Sequence, residues 1–107
     1  MQNKMPVIFI SHGAPMILDD GTKVADFFRE LGKTLPRPKA IVCISAHWEP
    51  AVYHVSTASN MELIYDFYGF PQKYYELEYK AKGDSLLADK VAGLLNDAGT
   101  ECKTAER

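Results

Sequence analysis

Two histidines occupy matching surroundings in this chain. His12 follows Pro6-Val7-Ile8-Phe9-Ile10-Ser11 and precedes Gly13-Ala14-Pro15, while His47 follows Ala40-Ile41-Val42-Cys43-Ile44-Ser45-Ala46 and precedes Trp48-Glu49-Pro50. Each closes an apolar run of strand length, each stands just after a serine, and each opens a loop marked by Gly or Pro. Neutral imidazole suits Zn, Fe, Ni or Cu. Two imidazoles at matching ends of strands about 4.8 Å apart can both reach an ion at about 2.0–2.1 Å. A histidine at a strand end, taken singly, is more often a hydrogen-bonded structural group. Shared placement is what makes His12 and His47 candidate metal ligands.

Other chemistry-bearing residues give weaker patterns. Glu49 lies two residues beyond His47 and would share its face if the strand continued. Two histidines and a carboxylate make the facial triad of non-haem Fe(II) oxygenases, but Glu49 directly precedes Pro50 and reads better as a solvated loop acid. His47-Trp48-Glu49 also resembles the opening of a zinc-deaminase signature, whose later Pro-Cys-x-x-Cys is absent. His54 falls in an alternating segment and is expected to be an exposed strand residue. Asp19-Asp20 reads as a loop acid pair. The aromatic run from Leu63 to Pro71 reads as core or pocket wall, with Phe70 and Pro71 able to line a site for a flat substrate. HExxH, GxSxG, Walker and GxGxxG patterns are all missing.

The elements that would position these residues can be read from periodicity. Met5 to Ser11 is a continuous apolar run, as in parallel strands buried on both faces. Thr22 is placed to cap a helix through about Leu35, with Val24, Phe27, Phe28, Leu31 and Leu35 on one stripe; Pro36 and Pro38 end it. Lys39 to Ala46 is a second buried strand. Strand, helix and strand make a right-handed βαβ unit with parallel strands. His12 and His47 then emerge at the same carboxyl edge, where open α/β sheets hold their ligands. Val52 to Ser56 alternates like a half-exposed strand. Gly69 and Pro71 mark 63–71 as an ordered loop. Gln72 to Glu76 suits a helical turn and Leu77 to Ala81 a short strand. Asp84 or Ser85 caps a helix carrying Leu87, Val91, Leu94, Leu95 and Ala98 on its stripe, with Gly99 at its end. Thr100 to Thr104 reads as a strand. The expected fold class is α/β, a mainly parallel central sheet flanked by helices.

Size and charge narrow the function. A chain of 107 residues is one small domain. A net charge of -2 gives no electrostatic case for nucleic acid or anionic membrane as a partner. No apolar run approaches the ~18 residues of a membrane helix. Met1-Gln2-Asn3-Lys4 leads into a strand-like segment without the apolar core of a signal peptide. Cys43 and Cys102 form no CxxC pair, and Cys43, in mid-strand, is expected to be a buried thiol. A reducing, cytoplasmic setting is the expectation.

Taken together, Ser11-His12-Gly13-Ala14-Pro15, Ile44-Ser45-Ala46-His47-Trp48-Glu49 and Tyr65-Asp66-Phe67-Tyr68-Gly69-Phe70-Pro71 resemble, in order and spacing, the motifs of the class III extradiol ring-cleavage dioxygenases of the LigB-type superfamily. The 4,5-DOPA extradiol dioxygenase-like group is the branch most resembled, and the likeness covers nearly the whole chain. It implies an α/β fold with one divalent metal at the carboxyl edge of the sheet. His12 and His47 match the two N-terminal metal ligands, and Glu49 matches none. The implied reaction opens a catechol-type aromatic diol beside its hydroxyls with dioxygen at Fe(II), a histidine serving as acid and base. Sites of this branch hold Fe(II) or Zn(II), and zinc has no redox chemistry of its own.

The same resemblance implies what residues 1–107 do not supply. The family's third ligand, its acid/base histidine and an Asp-His-Gly motif are expected beyond Arg107, and His54 matches none of them. On this reading 1–107 is a single, incomplete domain, the N-terminal half of the family's, inactive alone for want of a base. The alternative is a non-catalytic metal-binding or interaction module of the same fold. A hydrolase that activates water at the metal is a third reading, with no motif behind it. A sheet cut midway leaves an open edge and an uncovered apolar face, which predicts a homodimer or aggregate.

Overall fold

The computed structural model describes residues 4–19 and 21–107. Residues 1–3, and Asp20 of the expected acid pair, lie outside the described residues. A 3-10 turn at Pro15–Leu18 leads to helix α1 (Lys23–Thr34). Strands β1 (Tyr53–Ser56) and β2 (Asn60–Met61) follow, then helix α2 (Gln72–Tyr75), strand β3 (Ala81–Lys82), helix α3 (Ser85–Asp97) and strand β4 (Cys102–Ala105).

The packed part of the molecule is α3 laid against a parallel pair of strands. β1 pairs with β4 in the register Tyr53↔Cys102 to Ser56↔Ala105, and the Thr57 N–H continues the ladder by donating to the Ala105 carbonyl at 2.8 Å. α3 begins where the Asp84 carboxylate accepts from the Leu87 N–H at 3.0 Å, as a helix N-cap should. Ala88 and Ala92, one turn apart, are buried along with Cys102. Small side chains on that stripe let the helix lie close to the strands. α3 ends in a Schellman motif, the Thr100 N–H donating to Leu95 and the Gly99 N–H to Asn96, with Gly99 at φ +89°. The Asn96 side chain then grips β4: its amide donates to the Cys102 carbonyl at 2.9 Å while its oxygen accepts from the Cys102 N–H at 3.0 Å. β2 and β3 form a small antiparallel pair beside this unit.

The α/β class stands, with its parallel strands in a different place from the one periodicity predicts. Residues 4–14 and 39–45 carry no strand ladder. Val7 and Phe9 are fully exposed and Ile44 is 95% exposed. An apolar run records what a segment is able to bury; the partner that would cover it is a matter of tertiary packing. Here neither run lies against a covering layer. Cys43, expected to be a buried thiol, is exposed for the same reason, whereas Cys102 on β4 is buried. The expected strand at 77–81 shrinks to β3, and its pairing with β2 begins only at Ala81. α1 is capped by Thr22 as predicted. Ala25 is buried and Leu31 half-buried, but Val24 and Phe27 remain exposed.

Candidate metal centre

His12 and His47 come together. Their rings stack with centroids 5.5 Å apart and planes 29° from parallel. Neither histidine sits in a regular element; each is held by hydrogen bonds. The His12 Nδ1 contacts the carbonyl of its neighbour Gly13 at 2.9 Å. The His47 backbone N–H donates to the Ser45 hydroxyl at 3.1 Å, a short serine turn that accounts for the serine before this histidine. The His47 Nδ1 meets the Asp66 carboxylate at 2.5 Å.

Carbonyl and carboxylate oxygens accept and do not donate. Both Nδ1 atoms therefore carry the proton. In the neutral rings the lone pair is then on Nε2, the state in which imidazole binds a metal. A separation of 5.5 Å between ring centres brings both imidazoles into the neighbourhood of a single ion bound at about 2.0–2.1 Å. Among the described residues no group of three His, Cys, Asp or Glu side chains able to hold a metal forms. Glu49 is exposed and outside any such group.

The loop after His12 is tied down at its far end. The Tyr74 hydroxyl donates to one Asp19 oxygen at 2.8 Å, and the Lys73 ammonium reaches the other at 2.8 Å. These bonds, that from Lys73 foremost, hold the Asp19 carboxyl below its usual pKa. Asp19 in return raises Lys73 and Tyr74 above theirs. Tyr74 is buried. The acid that the sequence offers as half of a loop pair is thus an anchor between the 3-10 turn and α2.

The aromatic run is an ordered loop, as its Gly and Pro predict, with Gly69 at φ +79°. Phe67 stands edge-on to Phe70 at 5.5 Å and 4.9 Å from Tyr75, whose hydroxyl donates to the Phe67 carbonyl at 3.2 Å. Phe70 also packs edge-on to Tyr74. Phe70 is half-buried and Pro71 exposed. Two surface hollows, of about 550 and 430 Å³, are lined by residues 57–60 with Ser85 and Glu106, and by 50–53 with Thr100 and Glu101. His12, His47, Phe70 and Pro71 line neither. His54 is half-buried, not exposed as expected; its Nδ1 donates to the Val52 carbonyl at 2.8 Å and its ring lies 6.1 Å from that of Trp48. Asp66 was legible only as a lone carboxylate inside an aromatic run, and periodicity gives it no role.

Comparison with known proteins places the chain. Residues 6–107 match the family model described as the catalytic LigB subunit of aromatic ring-opening dioxygenase. The chain belongs to the LigB family. Its LigB relatives include a 4,5-DOPA dioxygenase extradiol of Escherichia coli (strain K12), 40% identical over 92 residues, which cover 86% of this chain and 34% of that protein. Dioxygenase tasH of Hapsidospora irregularis is 39% identical over 88% of this chain and 32% of its own length. A 4,5-DOPA dioxygenase extradiol of Beta vulgaris is 39% identical over 91% of this chain and 37% of its own. The chain thus spans about a third of the length of these LigB relatives.

Proposed function

We propose that this chain contributes two metal ligands, His12 and His47, to an extradiol ring-cleavage dioxygenase that opens catechol-type aromatic diols with dioxygen. The observation that carries the reading is the histidine pair, with ring centres 5.5 Å apart and both Nδ1 atoms engaged by oxygen atoms. Fe(II), when bound, supplies the redox chemistry that dioxygen requires, which Zn(II) lacks. His12 and His47 fix the ion's position by presenting two neutral nitrogens. Phe70 and Pro71 offer an apolar wall for a flat ring. The diol must also lose a proton to a positioned base, and no residue of 1–107 is assigned that part. We assign the third ligand and the base to residues outside 1–107, so that this segment is one portion of a larger domain. The names of the relatives make 4,5-DOPA the first diol to try. A cytoplasmic setting suits the two free thiols, Cys43 and Cys102.

Metal analysis tests the ligand assignment. The wild-type chain dialysed against Fe(II) or Zn(II) is expected to retain metal that His12→Ala and His47→Ala each release. Unchanged metal content in both variants overturns the assignment. The chain alone is expected to give no yellow ring-opened product from DOPA or protocatechuate; turnover by it would show that its own residues complete the site.

A further inference from the structure

We infer that Asp66 is a positioning residue for His47, and that the aromatic run around it serves to hold that carboxylate in place. The inference rests on the reading of His47 as a metal ligand and adds the residue that sets its orientation. The two histidines reach the same state by different means. His12 is fixed by the carbonyl of the very next residue, a contact that any sequence at position 13 could make. His47 is fixed by a side chain from a loop 19 positions on. That contact exists only if residues 63–71 fold correctly.

The loop is built to deliver it. Tyr65 and Phe67, the neighbours of Asp66, meet edge-on with centroids 6.3 Å apart. Both pack on Tyr75, at 6.4 and 4.9 Å. The Tyr65 hydroxyl donates to the Leu77 carbonyl, and Tyr75 closes the loop by donating to Phe67. The carboxylate is therefore flanked by two anchored rings. Its bond to Nδ1 holds the tautomer whose Nε2 faces away from Asp66, and a carboxylate in this position also makes the imidazole a stronger donor to a cation.

Nitrogen-15 NMR of the metal-free chain and titration with Zn(II) alone test this. Wild-type His47 is expected in the Nδ1–H form. Asp66→Ala should release it to the tautomer mixture of a free imidazole and weaken Zn(II) binding about 10–100-fold. Asp66→Asn keeps an acceptor oxygen of the same shape, so it should retain the tautomer and most of the affinity. A His47 tautomer or a Zn(II) affinity that Asp66→Ala leaves unchanged overturns the inference, as does an Asp66→Asn variant as defective as Asp66→Ala. His47→Ala separates the two ideas. If it weakens Zn(II) binding where Asp66→Ala does not, the ligand stands and the positioning role fails; if it too has no effect, the ligand assignment itself is wrong.

Discussion

The side chains that matter here are few, and most of them are joined across loops. Asp19, Lys73 and Tyr74 make one such join, and its pH dependence has a definite sign. Asp19 is held below its usual pKa, so its contribution is complete above the ordinary carboxylate value and is lost as pH falls through the lowered one. Lys73 and Tyr74 are held above theirs, so their contribution is complete below their ordinary values and is lost as pH rises through the raised ones. The anchor is expected to persist from weakly acidic to moderately alkaline pH and to open at both extremes. Carbon-13 NMR of labelled tyrosine should show Tyr74 ionising at higher pH than an unpaired tyrosine. In Asp19→Asn that titration should drop back toward the ordinary value; if it stays, the hydroxyl is not bonded to Asp19. The candidate ligands were legible in the sequence because apolar runs that stop at histidine are a local pattern. Asp66 was not, since a contact across 19 positions leaves no periodic trace.

Elements follow the same division. α1 and α3 were legible nearly to the residue, because a cap at Thr22 or Asp84 and a glycine at position 99 are properties of a few adjacent residues. β1 and β4 were legible as segments. The two apolar runs before the histidines were misplaced as buried strands, since burial depends on covering layers that periodicity cannot supply. Two substitutions probe the packed unit. Asn96→Ala leaves the N–H of buried Cys102 without its acceptor, which costs about 1–3 kcal/mol; amide exchange at Cys102 should accelerate accordingly, and an unchanged rate would mean that the Asn96 grip is not what protects it. Gly99→Ala meets no neighbouring atom, so its cost is that of placing a Cβ at positive φ, about 1–2 kcal/mol, read as a lower urea midpoint. Gly83 differs from Gly99: a Cβ there would run into the Ala58 carbonyl, and Gly83→Ala should part β3 from β2.

At the scale of the molecule, surface is the dominant fact. The radius of gyration is 16.1 Å, against about 13 Å for a compact domain of this length. The accessible area is 9478 Å², against about 6,000 Å² for a folded monomer of similar size. Large apolar side chains contribute to it: Val7, Phe9, Ile41 and Ile44 are each more than three-quarters exposed. Apolar area of this kind drives association, and we expect concentration-dependent sedimentation that Val7→Lys combined with Ile41→Lys reduces. A monodisperse wild-type monomer that unfolds cooperatively would instead favour a self-sufficient module over a portion of a larger dioxygenase domain. Among the described residues no helix is long and apolar enough to cross a membrane.

The contrast between the two cysteines has a practical consequence. Cys43 is exposed and Cys102 buried, so a maleimide should modify the first quickly and spare the second. The tagged position lies four residues before His47. A fluorophore attached there would sit close enough to the histidine pair for a quenching ion such as Cu(II) to dim it on arrival, giving an optical readout of occupancy that needs neither substrate nor turnover.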